Sequence, residues 1–333
     1  MGKIFITLML ISVFLVVPGY VYYNIYIWEF RGGDKFFEVK EGEAFSKVNY
    51  KLQKEGIVAD ARIFYRYAQV MDATTSIKSG VYTIPDRTNM KKLLEILTIG
   101  DLSAIAVTVP EGKNIYEIGK ILEENGLVKN RSEFINKVKD KNFLQSIGLP
   151  YNSAEGFLYP DTYRFSQNVS VETIVKTMNR EFNKRIKAAN FNNSSLSFLD
   201  TLILASIVEK ETAVALERPR VAGVFFNRLN KKMRLQSDPT TIYGIFERYD
   251  GKLHKEDLNG VTPYNTYKIY GLPPTPICNP SLAAIEAVLA PEKHEYIYFV
   301  SKNNGTHLFT VDYNDHVNNV NTYQKNMVNN QKK

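Results

Sequence analysis

The chain has 333 residues, 44% hydrophobic and 23% charged, with a formal net charge of +7; the length suggests about two domains and the balance excludes a disordered chain, a collagen and a polytopic membrane protein. Its single cysteine, Cys278, excludes an intramolecular disulfide and a cysteine-based zinc site, and His254, His294, His307 and His316 lack close metal-binding spacing, so no metal or other cofactor is expected. The positive charges are spread along the chain beside acids, which reads as solvated surface and makes nucleic acid an unexpected partner.

From Ile4 to Trp28 no residue is charged. A helix rising about 1.5 Å per residue can cross a ~30 Å hydrocarbon core with such a run. A cleaved signal peptide has a shorter apolar part, about 7–15 residues, and ends at small residues. Here no Ala-x-Ala site follows. Tyr20, Tyr22, Tyr23, Tyr26 and Trp28 cluster at the far end of the run, where amphipathic rings suit a membrane–water interface. Residues 1–30 are therefore expected to form a cytoplasmic tip and a retained single-pass transmembrane anchor, with the remainder facing outward.

After a polar exit at Gly32, Gly33 and Asp34, Phe36–Val39 reads as a strand and Ala44–Glu55 as a helix ended by Gly56. A second helix, Asp60–Met71, leads to a returning strand, Val81–Ile84. Strand, helix, helix, strand make a βααβ module within a domain of residues 34–102. A helix from Thr88 to Thr98 and a strand over Ala104–Val109 follow.

The module recurs. Val39, Glu41, Gly42, Leu52, Gly56, Val58 and Phe64 reappear 70 residues later as Val109, Glu111, Gly112, Leu122, Gly126, Val128 and Phe134, without a gap. Gly80-Val81-Tyr82 corresponds more loosely to Gly156-Phe157-Leu158. A second βααβ unit is therefore expected at about 106–160, fused into a larger domain of residues 103–333. The unit resembles the LysM modules that hold N-acetylated glycans; a spacer without glycan contact accounts for the same pattern.

Helices are expected over Ser170–Ala189, Leu199–Thr212, Pro219–Leu229 and Ser281–Leu289, with strands over Tyr296–Val300 and His307–Thr310. The Asn- and Lys-rich end from Asn314 reads as a solvated helix or tail. Between them, 236–280 reads as irregular chain, and long irregular stretches in compact domains are usually functional. It holds QSDPTTIYG (236–244), PYNTY (263–267) and GLPPTPICNP (271–280). Aromatic and amide side chains on loops suit a sugar cleft, which makes Gln236, Asp238, Tyr264, Asn265 and Tyr267 candidate substrate-binding residues. Turn chemistry explains the same residues, since Asp-Pro, Pro-Tyr-Asn and Pro-Pro all promote turns.

The helix TLILASIVEKET (201–212) carries Glu209 and Glu211. Helical spacing puts Glu211 above Ile207 and Val208 and sends Glu209 about 200° away, beside Ser206 and Ala205. A carboxyl desolvated on the apolar stripe has a raised pKa and can act as a general acid. The alternative is a helix-end glutamate paired with Lys210, Arg218 or Arg220.

The string LASIVEKET, followed by ERPRVAGVFFNRL, MRLQSDPTTIYG, YNTY and GLPPTPI, resembles the MltG (YceG-like) family of endolytic murein transglycosylases. The similarity is dense over about 200–310 and looser over the anchor and repeats. It implies an α+β protein: an N-terminal transmembrane helix, LysM-like βααβ units, then a mainly helical catalytic domain with long loops and short strands. It also implies an enzyme of the bacterial inner (cytoplasmic) membrane that faces the periplasm and cell wall. Its partners would be peptidoglycan glycan strands and cell-wall synthesis enzymes, and no role is expected for Cys278. The family role of the catalytic glutamate, followed by Ser or Thr on a helix, falls on Glu211-Thr212. Such an enzyme cuts the β-1,4 bond between N-acetylmuramic acid and N-acetylglucosamine without water, leaving 1,6-anhydromuramic ends, and so terminates or trims nascent strands. The alternatives are a hydrolytic muramidase using Glu211 and Asp238, and a non-catalytic peptidoglycan-binding scaffold.

Overall fold

A computed structural model describes residues 16–40, 42–99, 105–165, 169–191 and 194–325. The first part of the uncharged run, up to residue 15, lies outside the described residues. From 16 the chain is helical to 22 and continues as a π-helical turn, Tyr23–Ile27. Among the described residues no helix is long and apolar enough to cross a membrane. The chain divides between Ile105 and Ala106 into two compact units, each mixing helices with small two-stranded sheets, so the class is α+β.

The first unit runs β1 (Lys35–Val39), α1 (Phe45–Lys54), α2 (Ala61–Val70), β2 (Gly80–Ile84) and α3 (Met90–Ile99). β1 and β2 pair antiparallel, from Lys35 opposite Ile84 to Val39 opposite Gly80. Alternation along β1 turns Phe37 and Val39 inward. They meet Val48 and Leu52 of α1, Phe64 and Ala68 of α2, and Leu93 and Leu97 of α3 in one apolar core. Ile25 and Phe30 join that core and Trp28 packs against it, so the far end of the uncharged run belongs to this unit.

The second unit opens with β3 (Ile105–Thr108), α4 (Ile115–Glu124), α5 (Arg131–Val138), α6 (Lys141–Ser146) and β4 (Thr162–Phe165), with β3 paired to β4. The 70-residue repeat has the same helix close in both copies. Gly56 closes α1 at φ +71° and Gly126 closes α4 at φ +70°. Each glycine N–H donates to the carbonyl three residues back, and the next N–H reaches five back: Ile57 to Leu52 and Leu127 to Leu122, both at 2.9 Å. That is a Schellman close, which needs a left-handed residue at C′. The copies differ after this point. The second inserts α6, and its closing strand is Thr162–Phe165 rather than Gly156–Leu158. The amides of Gly156 and Leu158 donate instead to the side chain of Asn279, which takes them out of any strand ladder.

Next come α7 (Val171–Arg185), α8 (Phe198–Glu211), α9 (Arg218–Asn230), α10 (Asp238–Gly244), α11 (Lys255–Asn259), α12 (Leu282–Leu289), β5 (Tyr298–Ser301), β6 (His307–Thr310) and α13 (Tyr313–Val320). Thr201 to Val208 of α8 are all buried, as suits a helix apolar on every side. It packs against α9, α10 and α12 and is the axis of the unit. Ser197 starts it by accepting the Asp200 N–H. The stretch 236–280 is less irregular than its composition suggests. Asp238-Pro239 begins α10 instead of making a turn, because proline at the first helical positions gives up a donor that has no partner there.

An added Cβ at Gly56 or Gly126 meets nothing within 4 Å, so only backbone strain opposes it. Gly56→Ala and Gly126→Ala should each cost about 1–2 kcal/mol in chemical unfolding. Unequal costs, one of them near zero, would contradict a shared local geometry.

Candidate active site

Glu211 is the last residue of α8, and Thr212 turns the chain out of the helix with extended φ and ψ. The Thr212 hydroxyl accepts the Val214 N–H at 3.1 Å, which fixes that turn. Glu211 Oε1 accepts a 2.5 Å hydrogen bond from the Ser237 hydroxyl. Ser237 is itself buried, and its N–H donates to Thr266 Oγ1 at 2.9 Å. Thr240 donates to the Ser237 carbonyl at 2.7 Å and pairs with Thr266 at 2.8 Å. The motifs EKET, QSDPTT and YNTY are thus drawn together at the end of one buried helix.

Loss of water pushes the Glu211 carboxyl up to about 7. The nearby Asp238 charge adds to the rise, while the Ser237 hydrogen bond and the Arg228 guanidinium oppose it. The residue keeps partial exposure, which leaves a path for a substrate atom. Arg228 is buried, donating to the carbonyls of Ile297 at 2.7 Å and Leu235 at 2.6 Å, and burial pulls its guanidinium below its ordinary value.

Glu209 is the structural acid of the pair. Its side chain is 4% exposed and holds Arg218 at 2.9 Å. It also accepts the Ser281 N–H at 2.9 Å and the Ser281 hydroxyl at 2.5 Å, tying α8 to the start of α12. Helical spacing does send the two acids apart, but α8 has no solvated side for Glu209 to point from. The ion pair considered for Glu211 is made by Glu209.

Asp238 is exposed beside this site and accepts the Tyr267 hydroxyl at 2.7 Å; burial and the two carboxylates push that phenol well above its ordinary value. Gln236 is exposed at φ +50°, a left-handed backbone uncommon for a side-chain-bearing residue. Tyr264 is half-buried, hydrogen-bonded to Thr275 at 2.9 Å and packed edge-on against Tyr243 at 4.8 Å. Asn265 departs from the expected role. It is fully buried, its amide nitrogen donates to the carbonyls of Asp257, Leu258 and Gly260, and its oxygen accepts from Thr241 and Tyr267. It staples the loop and has nothing left for a ligand. Cys278 is buried against the Ser206 carbonyl at 3.3 Å, and desolvation raises its thiol far above the ordinary value. Among the described residues no group of three His, Cys, Asp or Glu is placed to hold a metal ion.

Sequence reasoning missed Ser237, which sits inside the QSDPTT motif in a stretch that reads as irregular chain with turn chemistry. It also missed Glu155, fully buried and pushed by desolvation up to about 8.

The YceG-like family pattern matches residues 37–322. The chain belongs to the YceG-like family. It is 30% identical over 296 residues to the endolytic murein transglycosylase of Bacillus subtilis (strain 168), covering 84% of this chain and 81% of that protein. A second relative, the endolytic murein transglycosylase of Streptococcus pneumoniae serotype 2 (strain D39 / NCTC 7466), is 30% identical over 299 residues. That match covers 79% of this chain but 53% of the pneumococcal protein, so the chain spans about half of it. The crystal structure of a yceG-like protein from Listeria monocytogenes aligns with a TM-score of 0.60 at 29% identity, over 86% of this chain and 98% of that one.

The raised carboxyl has a consequence for stability. Glu211 titrates near 4.5 when unfolded and about 7 when folded, so the folded state binds more protons between those values. Its contribution is complete below about 4.5 and is lost as pH rises through about 7. Glu211→Gln in this YceG-like chain should therefore gain thermal stability relative to wild type between pH 5 and pH 8. Parallel melting curves across that range would count against a raised carboxyl. Glu209→Gln should instead lose about 3 kcal/mol or more, because it strands a buried arginine.

Proposed function

We propose that this chain is a peptidoglycan lytic transglycosylase with Glu211 as its acid–base group. The observation that carries the reading is the desolvated carboxyl at the end of α8, bonded on one oxygen by Ser237, on a residue that keeps partial exposure. The names of its Bacillus and Streptococcus relatives support the same substrate and endolytic cutting.

Ser237 occupies Oε1, which leaves Oε2 to carry the acidic proton. Glu211 gives that proton to the glycosidic oxygen between N-acetylmuramic acid and N-acetylglucosamine as the C1–O bond breaks. The muramic acetamide oxygen stabilises the cationic C1. Glu211, now a carboxylate, takes the proton of the muramic C6 hydroxyl while that oxygen bonds to C1. The product is a 1,6-anhydro end, no water is consumed and the enzyme returns to its starting state. A paired-carboxylate glycosidase needs a second free acid. Asp238 is the acid beside Glu211, and its engagement by Tyr267 favours a binding role over a base or nucleophile. Gln236, Asp238, Tyr264 and Tyr267 contribute substrate contacts.

The uncharged run that begins at Ile4 anchors the chain in the inner membrane, its far end at Ile25 and Trp28 packing with the first unit, and the site faces the cell wall. There it trims or terminates nascent strands alongside cell-wall synthesis enzymes. The βααβ topology of the first unit supports a LysM-like module with glycan as its ligand.

Digestion of purified peptidoglycan with product mass analysis tests the chemistry. Anhydromuropeptides are expected, and products heavier by one water would assign a hydrolase. No release at all would favour a scaffold. Glu211→Gln should lower the rate by about 10²–10⁴-fold. Wild-type activity should fall as pH rises through about 7, because the acid must carry its proton. N-terminal sequencing of the mature protein tests the anchor, and a start near residue 30 would sink it.

A further inference from the structure

Away from Glu211, one buried carboxyl joins three elements of the second unit. Glu155 Oε2 accepts the Ile115 N–H at 3.0 Å and the Tyr243 hydroxyl at 2.9 Å, and Oε1 accepts Asn279 Nδ2 at 3.0 Å. Asn279 cannot turn over. Its Oδ1 accepts the N–H groups of Gly156 and Leu158, and its Nδ2 also donates to the Lys113 carbonyl at 3.0 Å. Two of the three donors to Glu155 are therefore fixed N–H groups, one on each oxygen.

Two of the elements so joined reach the Glu211 site. Tyr243 lies on α10, whose N-cap is Ser237 and whose first residue is Asp238. Asn279 lies in the segment 277–281, which grips α8 twice: Ile277 N–H donates to Ser206 Oγ at 3.0 Å, and Ser281 donates to Glu209. Ile115 begins α4, so the repeated module is tied to both.

We propose that Glu155 is a positioning residue for Glu211, its carboxyl fixing together the helix that presents Ser237 and the segment that grips the catalytic helix. This rests on Glu211 being the acid–base group. A carboxyl, charged or neutral, offers a lone pair to both fixed N–H donors. A glutamine cannot, because its amide nitrogen must face either Ile115 N–H or Asn279 Nδ2. Glu117 and Lys139 also act on Glu155 through charge, in opposite directions, and neither replaces a hydrogen bond.

The test measures kcat, KM, melting temperature and the alkaline limb of the pH–rate profile in the full-length protein. A displacement near 1 Å can cost about 100-fold, so Glu155→Gln should lower kcat by about that factor with KM little changed. Its alkaline limb should move to higher pH, since a loosened Ser237 bond no longer pulls Glu211 down. Wild-type kcat in Glu155→Gln, or a loss matched by the unfolded fraction with the limb unmoved, would each overturn the proposal. If Glu155→Gln does not fold, Tyr243→Phe removes one donor and keeps the ring; an unchanged kcat and limb there overturns it equally. Glu211→Gln, run alongside, reports on the acid–base reading alone, and its retained activity would sink that reading first.

Discussion

The withdrawal of one carboxyl from water, at the end of a helix that is itself withdrawn from water, governs the second unit. α8 is buried along Thr201–Val208, and a buried helix can only end where its last polar groups find partners. Glu209 meets that demand by pairing with Arg218 and Ser281. Glu211 receives a single neutral hydroxyl instead, and Arg228 acts on it only through charge. The carboxyl is therefore held in place without being held ionised. Two glutamates on one turn acquire opposite roles from their partners, not from their chemistry.

The surrounding motifs are chiefly scaffolding for that arrangement. Ser237 is fixed by Thr240 and Thr266, Thr266 lies next to the inward-turned Asn265, and Asn265 closes the loop around the carbonyls of α11. Ser206, one turn before Glu209, receives the Ile277 N–H, so the proline loop is laid against the same helix. Glu155 and Asn279 complete the frame from the side of the repeated module. Directional polar contacts set the position of Glu211 together with the apolar packing of α8.

Much of the frame is legible in the sequence because it is local. The gap-free 70-residue offset marks two Schellman closes, and α8 is evident from an apolar run longer than a strand. Glu211 stands out by its neighbours Ile207 and Val208, although helical spacing does not reveal the Arg218 and Ser281 partners of Glu209. The hidden part is non-local. Nothing in Gly156-Phe157-Leu158 says that its amides serve Asn279, 121 to 123 residues away, so a strand is the natural reading. Asn265 and Tyr264 look equally suited to a sugar, and only the fold turns the asparagine inward. Ser237 and Glu155 carry no signal by composition, since their importance is the identity of the groups they touch.

The central claim is that Glu211 keeps its proton well above the ordinary carboxyl range because the fold desolvates it. Carboxyl ¹³C NMR titration of glutamate-labelled protein, with Glu211→Gln to assign the resonance, measures this without recourse to activity. The account predicts a midpoint at about 7 for the resonance that the substitution removes. A midpoint near 4.5, the ordinary value of a solvated glutamate, would contradict it.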